Sequence, residues 1–243
     1  MRTYELYLDL GDNGECMAHA PVLLGANVTA RNKERALSKM RKEIPAYIEW
    51  LRGFGEGLEV PGDDFDIDVV EVMRGTDPWN AGGVNALFGP DKVPPTSRQI
   101  DTYLRWMGHS REHLLNVVKD LPQEILTKEH GNEPRTIQNT LEHIADTEWW
   151  YLTRMGPDPE ISPDDFPEVF NRLRRVRGYA VGRLGAIPKG DLGKVGVPTR
   201  YASPQQRRLK EAWTWHKVFR RFLEHERQHT RYIERLLRTY HGD

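Results

Sequence analysis

The hydrophobic rhythm of this chain changes once, and the change divides it into two parts that cannot share one kind of fold. Up to about residue 75 apolar residues alternate in twos, as on a strand; beyond about residue 96 they recur at helical spacing. Tyr4, Leu6 and Leu8 alternate with Glu5, Tyr7 and Asp9. The cluster Gly11-Asp12-Asn13-Gly14 supplies a turn, and Glu15 to Ala20 returns as the second strand of a hairpin. Val22 to Thr29 predicts a third strand. Ala36, Leu37, Met40, Ile44, Tyr47, Ile48 and Leu51 follow a helical period that stops at Gly53. Pro45 is expected to bend that helix, because it removes a backbone donor. Phe65, Ile67 and Val69 alternate again. Residues 1–75 therefore predict an α+β unit of order β-β-β-α-β, its helix covering one face of the sheet.

The stretch RGTDPWNAGGVNALFGPDKVPPTS, beginning at Arg74, is rich in Gly and Pro and has no period. Residues 76–96 are expected to form a linker, anchored in places by Trp79 and Phe88. Residues 97–243 predict an all-α four-helix bundle, since four amphipathic stretches each carry a start signal. Thr96 and Gln99 make a capping box for the first, which runs to about Leu121. Pro134 opens the second, ending near Met155 ahead of Gly156-Pro157, and Ser162-Pro163 opens the third, ending near Gly185. Ser203-Pro204 with Gln206 opens the fourth, which reaches about Tyr240.

The balance of 35 Lys and Arg against 36 Asp and Glu argues against a dedicated nucleic-acid binder, which carries a basic excess. A lone cysteine, Cys16, excludes an internal disulfide framework and suits a reducing compartment. The opening residues carry no leader-like apolar core, and no run has membrane-spanning length. A cytoplasmic protein without a membrane partner is expected.

Nine histidines are present, so position must separate ligands from bystanders. The last helix has an apolar stripe of Val218, Phe222, Ile233 and Leu236, and His225 and His229 fall inside it, both within about 60° of Phe222 on the helical wheel. Four residues apart, they project from one side one turn apart, as a single metal ion requires of one helix. Two imidazoles buried in one stripe without a partner would be costly, which favours a metal over two satisfied core histidines. A third ligand is then needed. His143 lies at the flank of its own stripe (Ile137, Leu141, Ile144, Tyr151, Met155) and shares a face with Thr140, Thr147 and Trp150. That mixed face suits a pocket wall without demanding a ligand.

His109 and His113 are also four apart, but lie off the stripe Leu104, Met107, Leu114, Val118 and Leu121, and read as a solvated face. His19, His130, His216 and His241 have no partner at ligand spacing. Asp63, Asp64, Asp66 and Asp68 lack the spacing of a calcium loop. Gly53, Gly55 and Gly57 follow a helix instead of preceding one, so they read as a stop and not as a phosphate cradle. Arg172, Arg174, Arg175 and Arg177 read as the wet face of the third helix. Cys16 has no base beside it and is expected to be buried.

The segment TIQNTLEHIADTEWWYLTRM from Thr136, followed by WHKVFRRFLEHERQHTRYIERLL from Trp215, resembles the DinB/YfiT-like superfamily over about residues 97–240. The resemblance implies a four-helix bundle that binds a divalent metal through one His on the second helix and an H-x3-H pair on the last: His143, His225 and His229. Imidazole donors suit zinc, nickel, copper or iron, with zinc or nickel expected. It further implies a metal-dependent, low-molecular-weight-thiol S-transferase, with Thr140, Thr147 and Trp150 lining the approach, a small-molecule substrate, and a homodimer as one assembly. Glu226 is not assigned as a base. The first 75 residues are similar to the HicB-like fold, which implies a protein partner. Two other readings follow: a partner-binding module in which the metal is structural, and a metal-assisted hydrolase, which ranks lower because spacing places no carboxylate at the ion.

Overall fold

A computed structural model describes residues 2–62, 64–77, 79, 83–198 and 211–241. The chain separates into two compact units: Met1–Pro95 with Leu192–Arg220, and Thr96–Asp191 with Arg221–Asp243.

In the first unit β1 (Arg2–Leu10) and β2 (Cys16–His19) form the expected hairpin, and β3 (Asn27–Ala30) pairs antiparallel with β2. Helix α1 (Lys33–Gly53) leads to β4 (Phe65–Arg74), which lies parallel to β1, so the sheet order is β3-β2-β1-β4. The third strand is shorter than Val22 to Thr29. Pro21–Leu23 forms a single 3₁₀ turn, and Gly25 takes the left-handed φ of 102° that closes it. Asn32 caps α1 by accepting from the Arg35 N–H, and the helix runs through Pro45. Its stop uses Gly55, at φ 88°, beyond the last helical residue Gly53. The register of β1 on β4 slips between Leu6 and Tyr7, leaving Val70 as a bulge residue that is half exposed.

Both faces of β1 are covered. Tyr4, Leu6 and Leu8 are buried on one face, and Tyr7 packs with Ala86 and Phe88 on the other. The stretch expected as a linker is, in its described part, a cover for this second face. Val84, Ala86 and Phe88 are buried, and Asp9 accepts from the Ala86 N–H at 3.1 Å. Alternating small apolar side chains with paired backbone donors make burial the favourable state despite the missing period. Within the same unit Lys217 donates to the Asn85 carbonyl (2.7 Å), and Arg220 donates twice to Asp91 (2.9 Å each) and to the Ala86 carbonyl.

The second unit is mostly helical: α2 (Ser97–Val118), a short α3 (Gln123–Leu126), α4 (Ile137–Leu152), α5 (Val169–Gly185) and α6 (Trp215–His241), the last assigned to this unit from Arg221 onward. Its core joins Leu114, Val118, Leu126, Leu141, Ile144, Leu173, Val176, Ile233 and Leu236. The Thr96–Gln99 capping box holds as expected, with both reciprocal bonds formed. The next two starts differ. Thr136 caps α4, not Pro134. Ser162-Pro163 caps only one 3₁₀ turn, and α5 begins at Val169 under Glu168, because Pro167 drives Phe166 out of helical geometry. Ser203, Pro204 and Gln206 lie outside the described residues. Glu211–Thr214 is not helical, Trp213 forms a bridge with Gly196, and the described helix begins at Trp215. Among the described residues no helix is long and apolar enough to cross a membrane.

Candidate metal centre

Helix α6 presents His225 and His229 one turn apart, and α4 brings His143 against them. The Nε2 atoms of His225 and His143 are 3.1 Å apart, as are those of His229 and His225. Two nitrogens on one tetrahedral ion with bonds of about 2.0–2.1 Å stand about 3.3 Å apart, so the trio has the spacing such an ion imposes. Among the described residues these three form a group able to hold a metal ion, one ligand atom from each.

The donor chemistry fits as well. A ligating imidazole must be neutral, with its lone pair on the nitrogen that faces the ion. Burial pushes His143 down to about 4, with the Arg135 charge adding to the effect. Burial, then His143, Arg135 and Arg221, push His229 down to about 3. His225 lies well below the usual range, first through burial and then through the other two rings. All three are therefore neutral near pH 7. Nδ1 of His143 lies 3.4 Å from the Thr147 hydroxyl, and its Nε2 is the nitrogen turned toward His225. Nδ1 of His225 is buried without a hydrogen-bond partner among the described residues. His225 is almost completely covered, while His143 and His229 are partly buried.

Of the residues expected at the approach, Thr147 and Trp150 are partly buried, and the Arg154 guanidinium sits 4.3 Å over the Trp150 ring. Thr140 is fully buried and donates to the Thr136 carbonyl. His113 pairs with Glu234 at 3.1 Å, and neither it nor His109 joins the trio. His19 bonds to Asp9, and His216 to the Val93 carbonyl. Nε2 of His130 is buried, and the side chain of His241 lies outside the described residues, as does Asp63. Asp66 and Asp68 lie on β4. Cys16 is buried, and burial pushes its thiol up to about 11, which removes it as a nucleophile.

One expectation fails outright. Arg177 is not on a wet face. It belongs to a buried quartet with Arg111, Glu148 and Glu226, contributed by α5, α2, α4 and α6. Arg111 donates to Glu226 (2.6 Å) and Glu148 (2.8 Å), and Arg177 donates to Glu148 and to Glu226 (2.9 Å). Burial alone would lower Arg177 and raise Glu226. The opposite charges outweigh it, so the arginine is held above its usual range and the carboxylate below. Sequence reading missed the quartet, although three of its members interrupt an apolar stripe: Arg111 lies between Met107 and Leu114, Glu148 between Ile144 and Leu152, Arg177 between Leu173 and Ala180. Arg174 and Arg175 are exposed as expected, Arg174 bonding Asn171 and Arg175 lying over Phe166, whereas Arg172 is largely covered and pairs with Asp146.

A family model described as the DinB superfamily matches residues 107–233, more than half of the chain and all three histidines. The chain matches no curated protein and no solved structure.

Proposed function

This chain belongs to the DinB superfamily, and from that premise we propose that it is a metal-dependent enzyme whose ion, zinc or nickel, is held by His143, His225 and His229. The reaction class is transfer of a low-molecular-weight thiol to an electrophilic small molecule. The observation that carries the reading is the convergence of three neutral imidazoles, with Nε2 of His225 3.1 Å from Nε2 of both His143 and His229. Bound there, a divalent ion with no anionic protein ligand supplies a strong Lewis acid that lowers the pKa of a thiol or water in its fourth position.

The chain's own residues supply the rest. Thr147 fixes one ring, and the Arg–Glu quartet immobilises Glu226, the residue next to His225. The four long helices that meet in one core are read as the bundle expected for this family. Metal-assisted hydrolysis ranks below transfer, since Glu148 and Glu226 accept from two arginines each and are not free to act as bases. A partner-binding role through a HicB-like unit would be favoured by an exposed apolar patch on the sheet; Tyr7 and Met17 are buried, while Val70 and Met73 of β4 are exposed.

The test measures metal content and thiol conjugation. Wild type is expected to carry about one equivalent of divalent metal and His225→Ala far less, with conjugation activity following the metal. Equal stoichiometric metal in both removes the centre as drawn. Metal retention without turnover across several thiols removes the transferase reading alone.

A further inference from the structure

We propose that Tyr151 is a positioning residue of the three-histidine centre, its ring fixing the plane of the His225 imidazole. This role rests on the reading of the trio as a metal centre and concerns what holds the most deeply buried of its three ligands in place.

A ligating imidazole is ordinarily oriented by a hydrogen bond at the ring nitrogen that does not face the ion. His143 has the Thr147 hydroxyl 3.4 Å from its Nδ1. His225 has no such contact. Its Nε2 points into the trio, 3.1 Å from the Nε2 of each of the other two, and its Nδ1 is buried without a hydrogen-bond partner among the described residues. The outer torsion of a histidine side chain is broad and roughly twofold, so neither the backbone nor a polar contact decides where this ring turns. Packing must decide it.

Among the described residues three rings lie against that of His225. Two belong to the other ligands, with the His143 centroid at 4.9 Å and the His229 centroid at 4.4 Å. The third is Tyr151, 5.9 Å away and almost perpendicular at 87°, the edge-to-face arrangement that aromatic pairs favour. Tyr151 is itself firmly held. It stands about two turns beyond His143 on α4 and is almost fully buried. Its ring packs on Phe222 of α6 at 5.7 Å. Its hydroxyl accepts from Arg221, also on α6, at 3.3 Å, and the same guanidinium donates to Glu224 at 3.0 Å. Helix α4 therefore carries one ligand and also the ring that sets a ligand of α6. Without that ring His225 can turn away from the common point, and metal affinity falls for lack of preorganisation.

The experiment measures cobalt(II) affinity by chelator competition, with the visible absorption of the cobalt form, for wild type, Tyr151→Leu, Tyr151→Phe and Tyr232→Phe. The last is a control for general loosening: it removes the 3.0 Å bond from the Tyr232 hydroxyl to the Arg135 carbonyl, which ties α6 to the start of α4. Tyr151→Leu is expected to bind cobalt about tenfold more weakly and with altered absorption, the lower end of what contacts behind a ligand are worth. Tyr151→Phe, which keeps the ring, and Tyr232→Phe are expected within about twofold of wild type, with its absorption. Wild-type affinity and absorption in Tyr151→Leu, or an equal loss in Tyr151→Phe or Tyr232→Phe, overturns the role of the Tyr151 ring and leaves the metal centre standing. Tyr151→Met replaces the leucine variant should that one not fold. Failure of wild type to bind cobalt overturns both.

Discussion

His143, His225 and His229 are neutral because burial removes the water that would solvate their cations, and the neighbouring positive charges reinforce the effect. This has a consequence for the metal-free protein. In the unfolded chain each imidazole titrates near about 6.5. Folded, His143 is held near about 4 and His229 near about 3. Between those limits the unfolded state binds protons that the folded state refuses, so stability falls as pH is lowered from about 6.5 toward 4, by at most about 1.4 kcal/mol per pH unit for each histidine. The melting temperature of metal-free wild type is expected to drop by several degrees between pH 7 and pH 5, more steeply than that of His225→Ala. Parallel profiles would show that the rings are not buried together. Legibility differed among these residues. The i, i+4 pair of α6 was readable because both rings lie in one apolar stripe. His143 was not, since the flank of a helix carries no period of its own, and the family pattern supplied it.

Between elements, the Arg111–Glu148–Arg177–Glu226 quartet ties four helices with two charges of each sign. Each carboxylate accepts from two guanidinium groups, so the desolvation cost is offset only while all four members are present. Removing one leaves an unmatched charge in the core. Arg177→Ala is expected to cost about 3–5 kcal/mol, read from chemical denaturation, with Glu226→Gln costing less because it keeps the shape and part of the hydrogen bonding. A loss under about 1 kcal/mol for Arg177→Ala would mean that water already screens the cluster. The element boundaries show what local sequence can and cannot specify. The Thr96–Gln99 box was legible because both partners lie within one turn. Ser162-Pro163 looked equally good as a start, but Pro167 five residues later stops the turn before α5 can begin. The quartet was passed over because four arginines within six residues of α5 resemble a solvated face until their partners are known.

For the molecule as a whole, periodicity located the switch from sheet to helix but not the limits of the sheet-containing unit. The segment Leu192–Arg220 belongs with Met1–Pro95, although its helical residues continue the stripe of α6. What holds it there is polar: Asp91 receives two bonds from Arg220, the Asn85 amide donates to Glu211, and the Asp91 carbonyl accepts from Thr214. Such pairings join residues more than 120 positions apart and leave no trace in a local pattern. A fragment ending at residue 95 keeps every strand and α1, yet leaves Asp91 without Arg220 and uncovers Phe88, whose ring lies under that guanidinium at 5.1 Å. Stranding one buried carboxylate costs about 3–5 kcal/mol, a large share of the roughly 5–15 kcal/mol by which small domains are stable. Residues 1–95 alone are therefore expected to show strand signal by circular dichroism without a cooperative thermal transition. In the intact chain Arg220→Met should lower the transition while preserving its cooperativity, because the apolar stem still covers Phe88. A sharp transition in the isolated fragment would mean that the strands and α1 suffice, and that the 192–220 segment is a passenger on a unit already folded.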